Sequence, residues 1–224
     1  NQAIKADPNY PEGYNSRGQL YGMSGQTEKA FADFLRAVEL KPGFSEAYNN
    51  LGIIYAQKQD LDRAAVNFKK ALTLNPANVE ARNNLGDFYF GRGDTEAALK
   101  EYRAILPIDP QSAGSYAKIG LIHGMKNENG LALEALNRSL AIDPRNSAAY
   151  KNRGIIFEHQ NKLTEALADY QRAISINPKE ADAFYGRGNV FARDDAVHPQ
   201  RFRQRIEYGH TRIKGGIGVL EHHL

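Results

Sequence analysis

Cysteine is absent from the 224 residues. That excludes a disulfide framework, a thiolate metal site and a thiol nucleophile, and leaves the redox compartment unreadable. Charge of one sign is also scarce in excess: the formal net charge is +3, too small to argue for a nucleic-acid partner. Long apolar runs are missing, so a membrane span is not expected. The opening NQAIKADPNY has no apolar run of the kind a signal peptide carries. Because the chain starts at Asn1, an upstream segment is expected to be missing. Signs of catalytic chemistry are as sparse. There is no phosphate-binding loop or nucleophile elbow, and Gly215, Gly216 and Gly218 follow no strand pattern. His123 falls at a position otherwise aromatic, His159 stands alone, and the pair Asp194-Asp195 reads as a solvated loop. No enzymatic activity, metal or cofactor is expected.

What is present is a period. Six of the nine prolines, Pro8, Pro42, Pro76, Pro110, Pro144 and Pro178, are each 34 residues apart. A residue before proline is pushed out of the α region, so each of these dipeptides should end a helix. Let the third residue after each proline be position 1. Position 8 is then glycine six times: Gly18, Gly52, Gly86, Gly120, Gly154 and Gly188. Position 4 is Tyr14, Tyr48, Arg82, Tyr116, Tyr150 and Phe184, and position 11 is Tyr21, Tyr55, Tyr89, His123, Phe157 and Phe191. Alanine fills position 20 five times, from Ala30 to Ala166, and position 24 holds Phe34, Phe68, Tyr102, Leu136 and Tyr170. The spacing predicts two short helices per unit, A over positions 2–13 and B over 15–30. Small residues at 8 and 20 would let the pair approach closely while the aromatics fill the surrounding space.

These residues resemble the tetratricopeptide repeat, with its aromatic, Leu-Gly, Tyr, Ala, Phe and Pro signature over 34 residues. The match covers five full repeats, and tyrosine stands at position 4 where tryptophan is usual. The resemblance implies an all-α fold, an α-solenoid of antiparallel helix pairs wound as a right-handed superhelix. It divides the chain into the end of a partial upstream repeat over 1–10, a solenoid over 11–192 (five repeats and helix A of a sixth), and residues 193–224. That last stretch is expected to be a capping helix opened by Pro199 or an unstructured basic tail containing RFRQR, Arg201 to Arg205, with a tag-like end at His222 and His223.

In this family the face of helix A opposite its packed side lines a concave groove that holds a partner's peptide or helix. On a wheel of about 100° per residue that face carries positions 2, 5, 6, 9, 12 and 13. At positions 5 and 6 it presents Asn15, Asn49, Asn50, Asn83, Asn84, Lys118, Lys151 and Asn152. At position 9 stand Gln19, Ile53, Asp87, Leu121, Ile155 and Asn189, and Phe90, Met125 and His159 follow at 12 and 13. The face is amide-rich and partly apolar. An amide both donates and accepts, so Asn50, Asn84 and Asn152 are expected to point away from the core and grip a partner's backbone. A carboxylate clamp of the chaperone-binding type is disfavoured, since Lys151 is the one lysine at position 5 and no base stands at position 2.

The expectation is therefore a non-catalytic scaffold that binds a protein or peptide partner. Two other readings are a self-assembling homo-oligomer, whose open edge would be Ala3 and Ile4, and the substrate-recruiting part of a larger enzyme such as a glycosyltransferase. Nucleic acid is not the expected partner. Two local departures stand out. Pro107 should end helix B of repeat three early. Arginine at position 7 (Arg17, Arg153, Arg187) should pack its stem and send its head to solvent or a carboxylate.

Overall fold

The computed structural model describes residues 2–197, and twelve helices and no strands occur among them. A short α1 (Gln2–Ala6) precedes the repeats. The A helices are α2 (Pro11–Met23), α4 (Ser45–Gln57), α6 (Val79–Gly91), α8 (Ala113–Met125), α10 (Ser147–His159) and α12 (Ala181–Val197). The B helices are α3 (Thr27–Leu40), α5 (Leu61–Leu74), α7 (Thr95–Ile105), α9 (Asn129–Ile142) and α11 (Leu163–Ile176). The fold is an all-α solenoid of helix pairs. Its described residues divide into two compact units, one up to residue 122 and one from residue 123 on.

Each A helix starts one residue earlier than the spacing suggested, and each B helix starts two residues later, at position 17. The cause is the turn between them. Position 15 adopts a left-handed backbone in all five repeats, at Gly25, Gln59, Gly93, Asn127 and Asn161, with φ between 59° and 78°. Such a residue closes helix A and cannot continue it. Position 16 then caps helix B: the carboxylates of Asp60 and Asp94 accept from the N–H of Arg63 and Ala97. At the other end the helices stop two residues short of the periodic proline, as expected. α7 stops at Ile105, three residues before its counterparts, because Pro107 cannot donate to the helical ladder. One expectation fails: Asp194 and Asp195 lie within α12 rather than in a loop. Pro199, the RFRQR stretch, His222 and His223 lie outside the described residues.

The contact between A and B follows the small-residue logic. A Cβ placed on Gly52 would sit 2.5 Å from the Phe68 ring, and one on Gly86 would sit 2.5 Å from Tyr102. The position-20 alanines are all fully buried. Each core cluster then joins helix B of one repeat to helix A of the next. Ala30 and Phe34 meet Leu51 and Ile54, and Ala64 and Phe68 meet Leu85. In the second unit Ala166, Tyr170 and Ala173 meet Ala183 and Val190. Neither helix of a pair can bury its apolar face alone, so stability arises between neighbours.

Ionic side chains are seated on the same frame. The Arg17 guanidinium forms a two-pronged bond to Asp33, 2.7 Å on each side. Arg153 does the same to Asp169 at 2.7 and 2.8 Å. Each guanidinium also lies over the aromatics at positions 4 and 11 of its own helix: Tyr14 and Tyr21 for Arg17, Tyr150 and Phe157 for Arg153. Asp33 and Asp169 first, and their charge, hold both arginines above their ordinary pKa. Of the alternatives for position 7, the carboxylate is realised at Arg17 and Arg153. Repeat three solves the same problem differently, with Arg82 replacing the aromatic and meeting Glu101 at 3.0 Å.

Candidate partner-binding groove

The asparagines are the first residues to place. Asn50 Nδ2 donates to Asn15 Oδ1 at 2.9 Å, and Asn84 Nδ2 donates to Asn49 Oδ1 at 2.9 Å. Position 6 of one repeat thus bonds to position 5 of the repeat before it. Asn49 is 1% exposed and Asn50 8%, so both sit in a buried seam between successive A helices. The expectation that they point away from the packed interior is corrected. A wheel with one packed side and one open side omits the flank that faces the neighbouring A helix. A buried amide on that flank needs a partner, and its counterpart one repeat away supplies it.

The seam stops at Lys118, which is too long to repeat the amide pair. Its ammonium instead reaches Asp87 Oδ1 at 2.6 Å and lies 5.0 Å from the centre of the Tyr102 ring. The Tyr102 hydroxyl donates to the same oxygen at 2.5 Å. Burial first, and then this bond to a carboxylate, push the Tyr102 hydroxyl well above the ordinary tyrosine pKa. Asn83, no longer opposite an asparagine, turns its amide back to the carbonyl of Val79.

In the second unit Asn152 is 7% exposed, and its amide has no hydrogen-bond partner among the described residues. Lys151 is engaged by Glu180 at 3.0 Å and Asp182 at 3.2 Å. Burial works against its charge, but these two carboxylates outweigh it and raise its pKa. Ile155, His159 and Met125 are exposed and Asn189 is half-buried. His123 is buried and paired through Nδ1 with Glu128, whose carboxyl is held below its ordinary pKa chiefly by that contact. No group of residues suited to holding a metal occurs among the described residues, and none of their helices is long and apolar enough to cross a membrane.

Three of the expected groove residues converge. Ile53, Asn84 and Asp87 line one cleft of about 400 Å³ in the first unit, together with Ala56, Gln57, Leu61, Ala64, Phe68 and Phe88. The cleft lies between α4, α5 and α6. Its walls are mostly apolar and its polar groups few, the general character of a ligand-binding concavity. Of the other expected residues in this unit, Gln19 is exposed, while Phe90 and Leu121 are half-buried outside the cleft. The sequence reading missed Leu61 and Phe88. Leu61 follows the helix-closing turn, whose register was misplaced by two residues. Phe88 takes a position held elsewhere by leucine, isoleucine or valine, and that substitution was the available signal.

Comparison with known proteins agrees with this fold. Models of the tetratricopeptide repeat match residues 1–32, 34–65 and 55–119, and a further TPR repeat model matches residues 159–195. No curated protein sequence matches the chain. Among solved structures, YrrB, described as a TPR protein with an unusual peptide-binding site, is 21% identical, with a TM-score of 0.65 over 84% of this chain and 96% of its own. PilF of Pseudomonas aeruginosa is 17% identical, with a TM-score of 0.72 over 87% of this chain and 97% of its own. MamA is 24% identical, with a TM-score of 0.62 over 73% of this chain and 96% of its own. At these identities the likeness establishes the fold.

Proposed function

Since the chain belongs to the tetratricopeptide repeat family, we propose that it is a non-catalytic interaction scaffold that holds a peptide or helix of a partner protein against the exposed faces of its A helices. The carrying observation is the convergence of Ile53, Asn84 and Asp87 on one mostly apolar cleft. Apolar walls supply burial and the amide and carboxylate at the rim fix orientation. Asn50 and Asn84 contribute mainly by holding successive A helices in register, and present only their remaining amide atoms to a partner. In the second unit the partner-facing amide is that of Asn152, which has no hydrogen-bond partner among the described residues, with Ile155 one turn along the same helix. Nothing in the comparisons favours self-assembly or recruitment to an attached enzyme over this reading.

The test is capture from native extract by the wild-type chain and by an Ile53→Asp, Ile155→Asp double variant, with circular dichroism verifying the fold. Loss of a specific partner by the folded variant is the expected result. Equal capture by both proteins would remove the A-helix faces from consideration.

A further inference from the structure

The end of the solenoid at α2 differs from the later A helices. Position 10 of an A helix lies against the B helix before it: Ile54 meets Ala30 and Phe34, and Val190 meets Ala166, Tyr170 and Ala173. Ile54, Ile122, Ile156 and Val190 are accordingly at most 3% exposed. Leu20, at position 10 of α2, is 65% exposed. Tyr10 is exposed as well, where its counterpart Phe44 is buried. Counting back from Pro8, α1 ends at position 30, as α3, α5, α9 and α11 do, so it stands as the last turn of a B helix. The ground that positions 20 and 24 cover on the later A helices is open on α2. It forms a hollow of about 350 Å³ between Ile4, Tyr10, Gly13, Ser16, Leu20 and Tyr21.

We infer that this hollow is a docking site for an amphipathic helix of a partner protein, carrying a small residue and, four residues on, an aromatic that lies over Leu20. Residues four apart share one face of a helix. Alanine followed four residues on by an aromatic is what α3, α5 and α11 lay on the next A helix, and the partner continues that interface by one step. Charge plays little part in the selection. Arg17, in the floor, is held by Asp33. α4 and α6 are each followed by a base at position 14 that reaches an acid at position 18 of the preceding repeat, Lys58 to Glu28 at 3.0 Å and Arg92 to Asp62 at 3.5 Å. Position 14 after α2 is Ser24, whose hydroxyl turns back to the carbonyls of Leu20 and Tyr21. The partner helix is therefore recognised by apolar burial. This surface is separate from the one proposed above, because Leu20 faces the place of a preceding B helix, whereas Ile53 lines the cleft between α4, α5 and α6.

The experiment is fluorescence anisotropy of a dye-tagged synthetic helix of about 20 residues, with alanine and phenylalanine at that spacing near its C-terminal end, titrated with the full chain. A second peptide has alanine in place of the phenylalanine. Leu20→Asp puts a charge in the exposed hollow, and Ser16→Trp fills it; circular dichroism verifies the fold of each variant. The phenylalanine peptide is expected to bind the wild-type chain. Affinity should fall by about tenfold or more for the second peptide and for both variants, and should be unchanged by Ile53→Asp. Equal binding of the two peptides, or binding indifferent to Leu20→Asp, would overturn the hollow as the site. Loss with Ile53→Asp alone would move the peptide to the A-helix faces, overturning the end site and leaving the scaffold reading intact. A wild-type chain that dimerises in sedimentation and becomes monomeric with Leu20→Asp would overturn the partner helix in favour of a second copy. Steep loss of binding with added salt would overturn the apolar selection. Binding of neither peptide would overturn the inference.

Discussion

At the scale of the residue, the asparagines show how much a repeat sequence reveals and where it misleads. Asn49 is buried and accepts from Asn84 across the repeat boundary. Replacing it with alanine leaves the Asn84 amide without its acceptor and should destabilise the fold by about 1–2 kcal/mol. Asn83, half-buried and bonded within its own helix, should tolerate alanine within about 0.5 kcal/mol. Urea denaturation of the two variants checks the contrast, and equal effects would remove the seam from the account of stability. The recurrence of these asparagines was legible in the sequence, but their orientation was not. Periodicity reports which residues are equivalent from repeat to repeat. It does not report that helix A has three environments, its own B helix, the adjacent A helix and solvent, and the asparagines belong to the second.

At the scale of the element, the helix pair was almost fully readable. Glycine at position 8, alanine at 20 and an aromatic at 24 specified the close A–B contact, and Pro107 announced the shortened α7. The turn was harder, since Gln59 and Asn127 occupy a left-handed position that glycine fills at Gly25 and Gly93, and no single residue type marks it. The same helix pair carries a testable pH dependence. Tyr102 and Tyr170 are buried, and their hydroxyls donate to Asp87 and Glu158. Burial first, then these carboxylates, raise both above the ordinary tyrosine value of 10.0. A raised folded pKa contributes stability that is fully present below the unfolded value and is lost as pH rises past it. Ultraviolet titration should therefore show Tyr102 and Tyr170 resisting ionisation above pH 10 until the helices melt. Ionisation of these two near pH 10, with helicity intact, would contradict the buried donor geometry.

At the scale of the whole molecule, the period of 34 residues was enough to give the architecture, because each repeat can bury its apolar face only against its neighbours. The cleft was not legible in the same way. Ile53, Asn84 and Asp87 could be nominated from the A-helix face, but that they share one cleft with Leu61 and Phe88 depends on coordinates. Local stability should also be uneven. Gly114, Gly124 and Gly130 interrupt repeat four where helix formers are usual, each at a cost of up to about 1 kcal/mol relative to alanine. Hydrogen exchange is expected to be fastest, among the helices, between Ile105 and Ser139. Protection there equal to that of Ser45 to Pro76 would refute the expectation.

The seam of amides also bears on how such a chain gains and loses units. Each rung runs from position 6 of the later repeat to position 5 of the earlier one, so the joint is directional and keyed. Removing the second repeat as a block would set Asn84 opposite Asn15 and recreate the same rung. Removing the third would discard Asp87 and Tyr102 together, leaving Lys118 facing Ile53 and Asn49 without the carboxylate that now holds it. The repeats resemble one another as sequences, yet they are not interchangeable tiles. Their order along the chain is written into which amide faces which, and a duplication or deletion is tolerated only where the key on one side fits the lock on the other.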